Sequence, residues 1–334
     1  MEKVEKDVSI IGGGPTGLFA AFYAGMRGAS VRIIDSLPQL GGQLMALYPE
    51  KYIYDVGGYP RIHARELAEA CIEQAMRFEP EVVLNEEIRE IRREGDGFHL
   101  VGRNDAFATK TVVLAGGKGA FEPTRLECPG YDELLGKGVH YAVKSPEEYR
   151  GKRVVIVGGG DSALDWAVVL KDLASSLVIV HRRETFRAHE RTVTEVTAAR
   201  ERGEVEIRTP CHLGEIAGEG KVERVTVVHK KTGAEETIGA DAVLTFLGFK
   251  PDLGAIAEWG LELDGSRVVV NHRMETNIPG IYAAGDIAGY EGKLDLIASG
   301  FSEAALAANH AVHYLNPDAR VNPGHSSHMK LFKE

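Results

Sequence analysis

The sequence predicts an α/β fold of two nested units, the second inserted into the first. Three observations carry this. A glycine-rich turn follows a short apolar run at Val8-Ser9-Ile10-Ile11-Gly12-Gly13-Gly14-Pro15-Thr16-Gly17, and a helix-like segment, 18–26, follows the turn. The same pattern returns 146 residues later in Val154-Val155-Ile156-Val157-Gly158-Gly159-Gly160-Asp161-Ser162-Ala163, with Gly12 falling on Gly158, Gly14 on Gly160 and Gly17 on Ala163. Beyond the second copy, another apolar run enters Ala283-Ala284-Gly285-Asp286 and returns the chain to the first unit.

The glycines have separable tasks. Gly12 allows a tight turn, Gly14 lets the backbone approach a pyrophosphate, and Gly17 lets the helix pack against the strand. The phosphates then meet free N–H groups and the positive end of the helix dipole. Both turns therefore read as Rossmann-like dinucleotide-binding sites, with Gly158, Gly160, Asp161, Ser162 and Ala163 forming the second. They differ in the residue that reads the ribose. The run 30–35 ends in Asp35, an acid suited to free ribose hydroxyls. At the same offset stands His181, followed by Arg182 and Arg183, a basic set suited to a 2′-phosphate through charge-assisted hydrogen bonds. The first site is thus expected to hold FAD and the second NADPH.

A chain of 334 residues accommodates two domains. Hydrophobic residues make up 44% and charged residues 26%, ordinary for a globular protein, and no apolar run approaches the roughly 18 residues of a membrane span. The charged start, 1–7, leads into the first strand with no visible signal or transit peptide. Cys71, Cys128 and Cys211 are widely spaced and odd in number, so a disulfide framework is not expected and a cytoplasmic protein is. A net charge of −10 argues against nucleic-acid binding. It leaves room for a local basic face: Arg182, Arg183, Arg187, Arg191, Arg200 and Arg202 either steer an acidic partner or form solvated helix faces balanced by Glu184, Glu190 and Glu195.

After the first turn, Gly41-Gly42 allows the backbone to pass close to a ligand. The aromatics Tyr48, Tyr52 and Tyr54 either fill a loop core or, in the case of Tyr48, stack on a flavin ring. Helical spacing is expected over 64–78 with Cys71 as a core thiol, and strands over 82–84, 87–91, 97–101, 107–109 and 111–117, the last ending in glycines. A first crossing at 119–123 closes the first part of the FAD domain, 1–123. The NADPH domain then spans 124–245, with strands near 222–228 and 242–244. A second crossing, 246–251, opens the second part of the FAD domain, 246–334. That part carries a strand at 267–270, Asp286 at the end of a strand, a helix over 301–314 and a tail from Arg320 onward. The pairs His310/His313 and His325/His328 have no carboxylate or thiol beside them, so no metal site is expected.

Taken together, Gly12-Gly13-Gly14-Pro15, Gly41-Gly42-Gln43, the second turn, His181-Arg182-Arg183 with Phe186-Arg187-Ala188, and Ala284-Gly285-Asp286 resemble the low-molecular-weight thioredoxin reductases over nearly the whole chain. The redox CxxC of that family is missing: the corresponding region reads Gly138-Val139-His140-Tyr141-Ala142-Val143-Lys144-Ser145, and no CxxC occurs anywhere. Without a dithiol the flavin must deliver its electrons directly to something else. With Leu47-Tyr48-Pro49, Ile297-Ala298-Ser299-Gly300-Phe301 and Pro323-Gly324-His325-Ser326 added, the pattern resembles the thioredoxin-reductase-like ferredoxin (or flavodoxin) NADP+ reductases.

That resemblance implies an enzyme moving electrons between NADPH and ferredoxin or flavodoxin, by hydride transfer to flavin N5 and two one-electron transfers, with no protein acid or base required. It implies that Tyr48 stacks on one flavin face and that His325, from the tail of the other protomer of a homodimer, covers the opposite face. Thr16, Asp35, Gln43, Ile88, Phe121, Asp286 and Ser327 match positions that contact FAD, Ile88 and Phe121 through backbone or packing, and Arg187 joins Arg182 and Arg183 at NADPH. Two rival readings remain: an NADPH-dependent flavin reductase of a small disulfide or quinone, for which Cys128 is the single thiol to consider, and a non-catalytic flavin redox sensor.

Overall fold

The computed structural model describes residues 4–119, 122–250 and 252–329. Six α-helices occur among them: α1 (Pro15–Met26), α2 (Gly42–Ala46), α3 (Ala64–Met76), α4 (Asp161–Leu170), α5 (Glu190–Glu201) and α6 (Ile297–Leu315). The chain divides into two compact units, Met1–Phe121 with Pro251–Glu334, and Glu122–Lys250. No described helix is long and apolar enough to cross a membrane.

In the first unit five strands run parallel in the order Glu81–Val83, Val31–Ile34, Lys6–Ile11, Ala106–Leu114 and Ile281–Ala283. The segments 107–109 and 111–117, which read as two strands, form one that ends at Leu114, before the glycines. Only Lys110 separates the two expected pieces, and Thr109 and Thr111 on either side of it are fully buried, their hydroxyls bonded to the carbonyls of Lys6 (3.2 Å) and Asp7 (2.7 Å). This long strand serves two partners on one side. Its first half pairs antiparallel with Gly97–Gly102, which turns into Ile88–Glu94, and its second half pairs with Ile281–Ala283. Arg32, on Val31–Ile34, is wholly buried. Its guanidinium donates to the carbonyls of Ala108 (3.1 Å) and Val4 (2.8 Å), pairs with Glu81 (3.1 Å) and lies 5.0 Å from the Phe107 ring centre. Behind the sheet, the small residues Ala304, Ala307, Ala308 and Ala311 are buried on α6, which packs on α1.

The second unit repeats the plan. Its parallel order is Glu206–Arg208, Ser176–Val180, Arg153–Gly158, Ala242–Phe246 and Val139–His140. Register repeats with it: Val8 faces Val31, and Val154 faces Leu177, the same offset carrying one pair onto the other. Val154 and Ile156 pack toward Leu164, Trp166 and Leu170 of α4, whereas Val155 and Val157 face Leu213, Ile216 and Val225 of an antiparallel sheet formed by Cys211–Ala217, Arg224–His229 and Glu235–Gly239. A strand covered on both faces is apolar at every position, which is why this run looks continuous rather than alternating.

The unit boundaries differ slightly from those expected at 123/124 and 245/246. Glu122–Pro123 pairs antiparallel with Phe249–Lys250, and the Thr124 N–H donates to the Gly248 carbonyl at 2.9 Å. Entry and exit are thus tied to each other, and both belong to the second unit.

At one edge of that unit's central strand, Asp241 accepts the Arg153 backbone N–H (2.9 Å) and two guanidinium N–H groups (3.0 and 2.7 Å). The Arg153 side chain, with its backbone N–H, holds the Asp241 carboxyl down at about 2. A depressed acid stabilises the fold fully above its unfolded value of about 3.9 and loses that contribution as pH falls through the folded value. The stability gap between wild type and Asp241→Asn in urea unfolding is therefore expected to persist at pH 5–7 and close toward pH 2. A gap independent of pH would show that shape, not charge, is at work.

Candidate functional site

The first glycine turn lies at the carboxyl ends of the parallel strands. Gly12 has φ +114°, and a Cβ there would meet the Ala115 backbone. A Cβ on Gly17 would overlap the Gly12 carbonyl oxygen, so α1 lies directly against the turn. Gly14 differs, since an added Cβ would have only the Gly42 Cα near it, at 3.8 Å. Two crowded glycines shape the turn and the third leaves a cradle. Gly14 is also the N-cap of α1, with no side-chain cap and Pro15 next, so the first-turn N–H groups are available to an anion.

Asp35, only 8% exposed, stiffens this cradle. Its Oδ2 accepts the Gly13 N–H at 2.6 Å and its Oδ1 the Leu37 N–H at 2.8 Å. Burial pushes the carboxyl up, and those two donors oppose the shift. Gly41 (φ +103°) and Gly42 (φ +54°) open α2, and the Gly41 N–H donates to the Gly13 carbonyl at 2.8 Å. Gln43 follows, its Nε2 3.2 Å from where a Gly117 Cβ would stand. Tyr48 is half-buried, and its hydroxyl is pushed up to about 12 by burial and by the nearby charges of Asp286 and Asp55. A Cβ on Gly285 (φ +79°) or on Gly300 would collide with Thr16 Oγ1. Gly12, Gly14, Thr16, Gly17, Asp35, Gln43, Tyr48 and Asp286 are thereby gathered along one sheet edge.

Ile88 is a buried core residue that begins its strand. Phe121 lies outside the described residues. His325 and Ser327 are exposed, at a single turn, Ser326–His328, in the tail. The base of that tail is held by Arg27, which donates to the carbonyls of Arg320 (2.7 Å) and Val321 (3.3 Å). The sequence reading missed Glu303, Lys293 and Tyr290. Glu303 accepts the Gly285 N–H at 2.7 Å and pairs with Lys293 at 2.5 Å, both side chains being almost fully buried. The available signal was an acid on the alanine face of α6.

In the second unit a Cβ on Gly158 would come within 2.8 Å of the Ala163 methyl, while Gly160 has open space around it. Ser162 is exposed and Ala163 fully buried. The Asp161 carboxylate is turned to the His189 N–H at 2.8 Å, and the Arg187 N–H donates to the Gly159 carbonyl at 2.8 Å. These two bonds tie the arginine-bearing loop to the glycine turn. His181 is buried against Gly159 and Phe186, whose ring centre is 5.5 Å away. Burial, helped by the charges of Arg182, Arg183 and Arg187, holds the imidazole below its usual range and so neutral at pH 7. The positive charge comes from Arg182, Arg183 and Arg187, all exposed and without an ion pair among the described residues.

Residues 6–311 match the family model of the pyridine nucleotide-disulphide oxidoreductases. The chain is 51% identical to the ferredoxin–NADP reductase of Thermus thermophilus, covering 96% of each sequence, and 48% identical to that of Geobacillus thermodenitrificans, covering 97% of each. Among solved structures, the thioredoxin reductase of T. acidophilum matches with a TM-score of 0.79 at 28% identity, over 95% of this chain and 100% of that one. The thioredoxin reductase of Lactococcus lactis gives 0.79 at 27%, over 93% and 99%.

The crowding at the first turn makes a contrast between two small substitutions. Gly17→Ala drives a methyl into backbone and is expected to cost about 3 kcal/mol or more. Gly14→Ala adds the same methyl to open space and is expected to stay within about 0.5 kcal/mol. Thermal unfolding of the two apoproteins is the check, and equal losses would mean that the cradle is closed.

Proposed function

Because the chain belongs to the pyridine nucleotide-disulphide oxidoreductase family and, within it, to the thioredoxin-reductase-like ferredoxin–NADP reductases, we propose that it is an FAD-dependent oxidoreductase moving electrons between NADPH and ferredoxin or flavodoxin. The observation that carries this reading is the pair of matching glycine turns with opposite charge beside them, a buried carboxylate at Asp35 and three exposed guanidinium groups at Arg182, Arg183 and Arg187. The open cradles at Gly14 and Gly160 fit a pyrophosphate each. FAD, when bound, would supply a two-electron acceptor for the nicotinamide hydride and a one-electron donor to the carrier.

The chain's own residues bind and orient. Asp35 accepts from a ribose hydroxyl with the lone pairs that Gly13 and Leu37 leave over, and the N-terminus of α1 takes the pyrophosphate. Thr16, Gln43 and Asp286 hold the flavin end, and Tyr48 stacks on one face as a neutral phenol. Ile88 and Phe121 contribute backbone or packing. His325 and Ser327, exposed on the tail, reach the flavin of the partner in a homodimer and cover its other face. In the second unit Asp161 acts through the His189 N–H, bracing the loop that presents the arginines to a 2′-phosphate, and Ser162 lines the pyrophosphate. The protein works in the cytoplasm.

A route through a protein thiol is disfavoured. Burial raises the Cys71 and Cys128 thiols to about 11 and also raises Cys211, so none is a thiolate at neutral pH. Cys128→Ser is expected to leave NADPH oxidation unchanged, and alkylation of Cys128 by iodoacetamide should accelerate steadily from pH 7 toward 11. Loss of a disulfide-reducing activity in that variant would favour the small-disulfide reading.

Rapid mixing of the FAD-loaded protein with NADPH, then with oxidised ferredoxin or flavodoxin, tests the function itself. Fast flavin bleaching followed by fast reduction of either carrier is expected; bleaching with no onward transfer would shift the assignment to a small-molecule acceptor. The double substitution Arg182→Ala/Arg183→Ala should weaken NADPH on the order of 100-fold, two charge-assisted hydrogen bonds at about 1.5 kcal/mol each, and NADH far less. Equal losses would mean that the pair maintains the loop.

A further inference from the structure

Glu303 sits on the buried alanine face of α6 with 3% exposure, and its carboxylate is saturated. Oε1 accepts the Tyr290 hydroxyl at 2.7 Å, Lys293 Nζ lies 2.5 and 2.7 Å from the two oxygens, and Oε2 accepts the Gly285 backbone N–H at 2.7 Å. The Lys293 ammonium also stands 5.6 Å from the Tyr290 ring centre. Burying two charges carries a desolvation cost that a pair of apolar side chains would avoid, so such a pair calls for a geometric reason. Of these contacts, the bond to Gly285 reaches the site. Gly285 has a left-handed backbone, a Cβ on it would collide with Thr16, its neighbour Ala284 is tied to the Leu114 carbonyl at 2.9 Å, and the next residue is Asp286.

We propose that Glu303 is a positioning residue, which clamps the Gly285–Asp286 turn through the Gly285 N–H so that Asp286 is presented to FAD, while Lys293 and Tyr290 hold its carboxylate in place. The proposal rests on the FAD assignment made above. Its content is that a charge behind the sheet, remote from substrate, sets the shape of the turn that receives the cofactor. A carboxylate is suited to this because it takes a hydrogen bond from a backbone N–H more strongly than a neutral acceptor does and has room for two further partners.

Two double substitutions separate positioning from packing. K293M/E303Q and K293M/E303L both remove the buried charges, but only the first keeps an acceptor for the Gly285 N–H. Replacing both members of a buried pair is tolerated far better than removing one, and thermal unfolding of the apoproteins checks that the two variants are equally folded. FAD affinity, read from flavin fluorescence on titrating apoprotein, is expected to be roughly tenfold or more weaker in K293M/E303L than in K293M/E303Q. Equal affinities in two folded variants overturn the proposal alone; a wild-type chain that takes up no FAD overturns the cofactor assignment and the proposal with it. Should K293M/E303L fail to fold, hydrogen exchange of wild-type apoprotein decides. Strong protection of the Gly285 amide relative to the exposed Gly292 amide supports the clamp, and equal exchange removes it.

Discussion

Where α1 meets the turn before it, two stretches of backbone touch and no side chain fits between them. Gly17 against the Gly12 carbonyl fixes both the distance and the direction of the helix, and so fixes where its uncapped N–H groups point. The second unit solves the same problem with a different pair: the methyl of Ala163 is accommodated on the helix because Gly158 has none to oppose it. Once the helix start is set, the group beside the middle glycine decides what charge the site favours. In the first unit it is a carboxylate bonded to the Gly13 N–H; in the second it is a neutral imidazole packed on Gly159, and the arginines that follow carry the charge instead. One backbone plan thus yields two sites of opposite polarity in a chain whose net charge is −10.

The parts of this arrangement that were legible in the sequence are those written in short, contiguous segments. Each glycine turn, its preceding apolar run and its helix lie within about twenty residues, and the acid or base that follows is set by the length of one strand. The fold class and the resemblance to thioredoxin reductases came from these pieces, and the fold comparison with T. acidophilum thioredoxin reductase agrees with them. Illegible were the features that depend on distant partners. The strand was read as two pieces parted at Lys110, because the partners that satisfy the Thr109 and Thr111 hydroxyls lie about a hundred residues away. Nothing in the run 30–35 announces that the Arg32 guanidinium is met by carbonyls, a carboxylate and a ring from three other segments. Glu303 was passed over for the same reason, since nothing local announces that its partner is a backbone N–H eighteen residues upstream.

These buried charges also mark different uses of the same costly device. Arg32 collects carbonyl oxygens of Val4, just before the first strand, and of Ala108, within another. The Lys293–Glu303 pair is turned toward a functional edge, its free lone pair spent on the turn before Asp286. Asp161, exposed at the surface of the second unit, likewise holds an N–H of the arginine-bearing segment. In the last two cases the acid acts on the site through the N–H that it holds.

The insertion of one unit into the other also orders events during synthesis. All five parallel strands of the second unit lie between Val139 and Phe246, so that sheet is complete once those residues have left the ribosome. The first unit has most of its sheet much earlier but lacks Ile281–Ala283, and until that strand arrives the inner half of Ala106–Leu114 has an unpaired edge. An open edge of apolar strand is a template for wrong partners. The nascent chain therefore carries its earliest-made sheet in an unfinished state while a later-made one matures ahead of it, and the last short strand serves as the seal.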